Sequence, residues 1–162
     1  MRILVISDSH LSDISKIKKE EYDLIIHAGD YGVSKKKLED LGAKYVKGNC
    51  DFHGDKHLLF YFQNKKIFVT HGDLENVKFT DLKLFYQALE YRANICIYGH
   101  THKQTVIEKE NILFINPGNY PNNYIVITDE GLELHKKDNV EFINRKWWEY
   151  VLKWSLRIRK NF

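Results

Sequence analysis

The sequence predicts an α/β fold, and three observations lead to it. The first third alternates short apolar runs rich in β-branched residues with polar, cappable segments, in the order strand, helix, strand, helix, strand. The middle switches to two strand-like runs around a turn. The last third before the tail shows alternation punctuated by turn residues. The opening order implies parallel neighbours joined by right-handed crossovers.

Each element has its own signal. "RILVIS" (2–7) is a continuous apolar run, the pattern of a strand covered on both faces. Ser12 is placed to cap a helix over 13–20. "YDLIIHAG" (22–29) is a second buried strand ending in glycine. Ser34 offers a cap for a two-turn helix that stops at Gly42. "AKYVKG" (43–48) is a short third strand. "HLLFYF" and "KIFVTHG", joined by Asn64-Lys65, read as a hairpin. Asp81 precedes "LKLFYQALEYRA", in which Leu82, Phe85 and Leu89, with Tyr86, form an apolar stripe. Ile95 to Tyr98 is another buried strand. "QTVIEKENILFINPG" and "NYIVITDEGLELHKK", with turns at Glu110-Asn111 and Glu130-Gly131, read as a β-meander.

Composition bounds the class. The 162 residues are 43% apolar and 29% charged, ordinary usage for one globular domain. No apolar run reaches the roughly 18 residues of a membrane span. The first residues read as a strand and not as a signal peptide. Cys50 and Cys96 are the only cysteines, so a reduced, cytoplasmic setting is expected. The net charge of +3 is uneven. Residues 136–162 carry eight Lys/Arg and three Asp/Glu, whereas the first 135 carry seventeen and nineteen. A polyanion-binding surface over the main body is not indicated.

Polar residues cluster where the buried runs end. Asp8 and His10 follow the first strand, Asp30 the second, and Asn49, Cys50 and Asp51 the third. His71 follows "KIFVT", and His100 and His102 follow "NICIY". Ligands of open α/β sheets bind outside the carboxyl ends of strands, so the topology brings these clusters to one rim. Carboxylate, amide oxygen and imidazole together suit Mn²⁺, Fe²⁺, Zn²⁺ or Ni²⁺. Seven such groups are too many for one ion and suit two that share a bridging carboxylate. A glycine beside each cluster (Gly29, Gly48, Gly72, Gly99) allows tight turns and close approach.

The five clusters, D-x-H, G-D, G-N-C-D, H and G-H-x-H in this order, resemble the calcineurin-like metallophosphoesterase superfamily, in its compact bacterial and archaeal phosphodiesterase branch. The resemblance spans residues 1–135. It implies two facing mixed β-sheets flanked by helices, a four-layer α/β/β/α sandwich. It implies one divalent ion held by Asp8, His10, Asp30 and His102, and a second by Asp30, Asn49, His71 and His100. Manganese is the first expectation for both, with nickel, iron or zinc as the others. It further implies hydrolysis of small phosphoesters, diesters before monoesters, by in-line attack of a metal-bridging hydroxide. A different reading comes from the retromer subunit, which resembles the same family but serves as a binding module. That subunit lacks part of the ligand set, and all seven positions match here.

One position departs from the pattern. Where much of the superfamily has a histidine able to protonate the leaving group, this chain has Cys50. A thiol with a reference pKa of about 8.5 is a poor substitute for an imidazolium near 6.5. Asp51 and His53 are the other candidate proton donors. His27, inside a buried strand, reads as a satisfied core histidine, His57 as a surface residue and His135 as structural. "INPGN" (115–119) reads as a tight turn made by Pro117 and Gly118.

The metallophosphoesterase domain is expected over 1–137, with 138–162 as a basic amphipathic C-terminal helix that is not an independent domain. Trp147, Trp148, Val151, Leu152, Ser155 and Ile158 share one face of it, and Arg145, Lys146, Glu149, Lys153, Arg157 and Lys160 another. Docking on the domain, or homo-oligomerisation through this helix, ranks above an anionic membrane surface. Nucleic acid ranks last.

Overall fold

A computed structural model of the chain describes residues 1–144. Among the described residues, eleven strands form two sheets. The first contains β1 (Arg2–Ile6), β2 (Leu24–His27), β3 (Lys44–Tyr45), β9 (Tyr124–Thr128), β10 (Gly131–Lys136) and β11 (Asn139–Asn144), in the order β11-β10-β9-β1-β2-β3. The second contains β4 (His57–Phe62), β5 (Lys65–Thr70), β6 (Ile95–Ile97), β7 (Thr105–Lys109) and β8 (Ile112–Asn116), in the order β4-β5-β6-β8-β7. As expected, β1, β2 and β3 are parallel, and so are β5, β6 and β8.

Burial explains the continuous apolar runs. Ile3 and Val5 of β1 join Ile67, Val69, Ile95 and Ile97 in the core between the sheets. The alternate residues Leu4 and Ile6 pack outward with Ile14, Leu38 and Leu41. Helix α1 (Lys35–Leu41) supplies part of this outer layer and ends at Gly42, whose left-handed φ of 72° closes the last turn. Helix α2 (Leu82–Glu90) covers the other sheet through Leu84, Phe85 and Ala88, which pack on Phe68, Cys96 and Phe114. Two facing mixed sheets with helices outside each are the predicted architecture.

Several local expectations are corrected. The segment after Ser12 forms two short 3₁₀ turns, Ile14–Lys16 and Lys19–Glu21, with Asp13 as the first cap. The hairpin turn is Gln63-Asn64, both at positive φ, because Phe62 pairs with Lys65. The buried stripe of α2 is Leu84, Phe85 and Ala88, leaving Leu82, Tyr86 and Leu89 exposed. The presumed meander is divided. β7 and β8 stay in the second sheet, and the chain then crosses to the first, where β9 lies beside β1. Residues 139–144 form β11 against β10, so the boundary expected after 137 falls inside a strand pair. The helix expected beyond them lies outside the described residues.

His27 is fully buried and satisfied, as expected. The Gly29 N–H donates to Nδ1 at 3.2 Å, which leaves Nε2 to donate to Ser9 Oγ at 2.8 Å. Burial, reinforced by the nearby His71 and His10, pushes its pKa down to about 3. The unfolded chain therefore binds a proton here that the folded chain refuses between pH 6.5 and 3, and stability falls as pH drops through that window. Going from pH 7 to 4.5 is expected to cost roughly 2–3 kcal/mol from His27. Urea unfolding at both pH values checks this, with His27→Gln showing a smaller acid loss than the wild type.

Candidate metal centre

The seven predicted donors come together where the carboxyl ends of β1, β2, β5 and β6 meet the loop after β3. Asp8, Asp30 and His71 are buried. Five of the seven, Asp8, His10, Asp30, His100 and His102, sit at left-handed φ between 48° and 68°. Such backbone is uncommon outside glycine and costs on the order of 1 kcal/mol or more per residue. It shows that these loops are shaped for the arrangement of their side chains.

Four of the donors, Asp8, Asp30, His71 and Asn49, are held by a partner on their other side. Asp8 Oδ2 accepts from the Ser7 hydroxyl at 2.7 Å and the His100 N–H at 3.1 Å. Asp8 Oδ1 is buried without a hydrogen-bond partner and lies 3.1 Å from His102 Nε2. Asp30 Oδ1 accepts from the Cys50 N–H at 2.9 Å, leaving Oδ2 3.3 Å from His71 Nε2. His71 Nδ1 donates to the Ala28 carbonyl at 2.8 Å, so Nε2 of the neutral ring presents a lone pair. That nitrogen lies 3.2 Å from both Asn49 Oδ1 and His100 Nδ1. The Asn49 amide nitrogen turns instead to Cys50 Sγ at 3.4 Å.

Lone pairs thus converge on one another, and one buried carboxylate oxygen is orphaned. This is costly unless positive charge sits among them. The electrostatics agree. Burial opposes ionisation of Asp30, but His71 and the Cys50 amide hold its carboxyl well below the usual range. Burial likewise disfavours a proton on His71, yet Asp30 and Asp8 raise its pKa. His100 is pushed down by burial and by His71. Oxygen and imidazole donors around two carboxylates fit divalent first-row ions. Three overlapping groups have donor atoms within 4.8 Å of one another: Asp8, His10 and His102; His10, Asp30 and Cys50; Asp30, His71 and His100.

The glycines have a different neighbour from the one expected. A Cβ at Gly48 would lie 2.0 Å from Asp30 Oδ1, and one at Gly99 would lie 2.0 Å from Ser7 Oγ and 2.7 Å from Asp8 Oδ2. Their bareness makes room for the carboxylates and the hydroxyl that aims one of them.

Asp51, a candidate proton donor, is engaged elsewhere. Its carboxylate accepts from the backbone N–H of Asp30 at 2.7 Å, Gly48 at 2.8 Å, Tyr31 at 3.1 Å and Gly32 at 3.4 Å. It ties the loop after β3 to the loop after β2. Asp51→Asn is expected to lower stability by about 2–4 kcal/mol, because an amide NH₂ would face N–H donors. Urea unfolding of the apoprotein measures it. His53 is exposed, and its carbonyl accepts from the Tyr31 hydroxyl. Cys50 is exposed at the centre, and burial together with Asp30 and Asp51 pushes its thiol up, so it is protonated at neutral pH.

Four supporting residues escaped the sequence reading. Ser7 aims Asp8. Asn116 is fully buried and its amide donates to the Gly99 carbonyl at 2.9 Å and Thr101 Oγ1 at 3.0 Å. The "INPGN" segment is therefore more than a turn: it braces the histidine loop. Glu75 is buried, accepting from Thr70 Oγ1 at 2.9 Å and pairing with His57 Nε2 at 2.8 Å, so His57 is not a plain surface residue. Gln104 donates to the carbonyls of Tyr124 and His135, tying the segment after His102 to the first sheet. His135 stacks on Tyr124 and is structural, as expected.

Two carboxylates, an asparagine and four histidines thus gather at the strand ends of two facing sheets, a donor set that suits divalent ions. The chain belongs to the calcineurin-like phosphoesterase superfamily, whose domain is matched over residues 1–124. It is 40% identical over 125 residues to the probable metallophosphoesterase YsnB of Bacillus subtilis, covering 73% of this chain and 74% of that one. It is 30% identical over 145 residues to the phosphodiesterase MJ0936 of Methanocaldococcus jannaschii, covering 73% and 83%. Among solved structures, a predicted phosphoesterase from Streptococcus pneumoniae superposes with a TM-score of 0.74 at 28% identity, over 89% of this chain and 97% of that one. Vps29 from Entamoeba histolytica superposes with a TM-score of 0.71 at 20% identity, over 90% and 99%, a likeness of fold.

Proposed function

We propose that this chain is a dinuclear-metal phosphodiesterase acting on small phosphoesters. The carrying observation is the convergence of seven donors, among them the buried Asp8 Oδ1, which makes no hydrogen bond and lies 3.1 Å from His102 Nε2. Asp8, His10, Asp30 and His102 would hold one divalent ion and Asp30, Asn49, His71 and His100 the other, with Asp30 shared. Manganese is the first candidate. Such ions, when bound, supply a water of lowered pKa and neutralise phosphate charge.

The chain's own residues do the rest. Ser7 and the His100 amide hold Asp8 Oδ2, which presents Oδ1 inward. The Ala28 carbonyl fixes the His71 tautomer, as a partner on the far nitrogen does for ligating histidines generally. Asp51 serves as a positioning residue, since its carboxylate is taken up by the backbone N–H groups of Asp30, Tyr31, Gly32 and Gly48. The Cys50 thiol is a weak acid at this position. Diesters whose leaving groups need little protonation should therefore be turned over best.

The test is hydrolysis of bis(4-nitrophenyl) phosphate with and without added Mn²⁺. Metal-dependent turnover supports the reading. A protein that stays inactive with every divalent ion would favour the binding-module reading instead.

A further inference from the structure

The rim of the centre carries two large apolar side chains that no packing accounts for. Leu11 and Phe52 are each 91% exposed. Leu11 follows His10 directly, and Phe52 lies two residues after Cys50. Donor atoms of His10 and Cys50 lie within 4.8 Å of each other and of Asp30. Consecutive Cα atoms are about 3.8 Å apart, so both side chains are rooted at the same edge of the same site.

Their loops are fixed by hydrogen bonds. The His10 N–H donates to the Asp30 carbonyl at 2.9 Å, and the Ser12 N–H to the Ser9 carbonyl at 2.8 Å. Gly32 presses on the other side of this loop, where a Cβ would lie 2.2 Å from the His10 carbonyl oxygen. The loop bearing Phe52 is tied down by the four N–H bonds to Asp51 and by the Tyr31 hydroxyl on the His53 carbonyl. Two apolar groups are thus held in water on braced loops beside the cluster of donors.

Resting on the phosphoesterase reading, we infer that Leu11 and Phe52 form an apolar lip that receives an aromatic organic arm of the phosphoester. The phosphate would be drawn to the ions that the donors hold, and its ester arm would pass outward over the rim. An aryl ring or nucleobase there loses water against Leu11 and stacks on Phe52, whereas a methyl or glycerol arm gains little. Substrate choice then rests on the arm as well as on the phosphate.

Isothermal titration of the Mn²⁺-loaded full chain with phenylphosphonate and methylphosphonate tests this, since neither has a P–O–C ester to cleave. Phenylphosphonate is expected to bind about tenfold tighter, the gain from burying one face of a ring. In a Leu11→Ser, Phe52→Ser double variant that ratio should fall to within about twofold, with methylphosphonate affinity unchanged. Tyr61→Ser is the control. Tyr61 is an exposed aromatic at the turn end of the β4–β5 hairpin, far from His71, and its loss should leave the ratio alone. A double variant that keeps the wild-type ratio overturns the lip, as does a wild type that binds both ligands equally. Failure to bind even methylphosphonate would instead bring down the phosphoesterase reading, and the lip with it.

Discussion

Replacement of Asp30 by alanine is expected to lower kcat/KM for an activated phosphodiester by on the order of 10³-fold or more. Asp30 is the donor that both proposed ions share, and it lies 3.3 Å from His71 Nε2. Its other oxygen anchors the loop after β3 through the Cys50 N–H. The variant therefore loses a ligand to each ion and the bond that positions Asn49 and Cys50. Manganese titration should show the loss directly, with bound metal falling below that of the wild type. His71→Ala removes a ligand from one ion only and should retain part of the metal. Equal metal content in wild type and Asp30→Ala, with equal rates, would remove the centre from the chemistry. Circular dichroism of the variant separates this from unfolding.

The second large effect is a gain. Cys50→His is expected to raise hydrolysis of diesters with poor alkyl leaving groups by on the order of 10², the lower end of what general-acid help contributes. Rates on nitrophenyl diesters should change far less, because their leaving group departs without a proton. The thiol now at this place is held protonated by burial and by Asp30 and Asp51, and gives up its proton reluctantly. An imidazolium near pKa 6.5 would add a falling limb to the alkaline side of the pH–rate profile. An unchanged profile and unchanged leaving-group dependence would mean that the proton comes from elsewhere, with exposed His53 the next group to replace.

Much of this site was legible because its signals are local. Every donor except Asn49 stands within a few residues of a buried apolar run, and the runs are recognisable from periodicity and β-branching. Elements that depend on distant partners were not. The stripe of α2 was misplaced because apolar residues at Leu82, Tyr86 and Leu89 mimic a buried face, and only packing against Phe68 and Phe114 shows that Leu84 and Ala88 are inside. The alternation in β9 fits a meander equally well, because it records that a strand is half-buried and says nothing about its neighbour, which is β1. The side chains that aim the donors, Ser7, Asn116 and Glu75, are ordinary polar residues in the sequence. Their roles come from contacts with residues up to 22 positions away in the chain, or from the geometry of a single turn.

The opening set of parallel strands, the candidate donors and the chemistry they favour are written in short stretches of sequence. They rest on side-chain type and backbone periodicity, which are properties of neighbouring residues. Which oxygen of Asp8 faces inward, which nitrogen of His71 is bare, why Asp51 accepts backbone N–H bonds, and what room Gly48 and Gly99 leave became visible only once the two sheets faced each other. Those features depend on ångström-scale distances between segments far apart in the chain, and no local pattern encodes a distance of that kind.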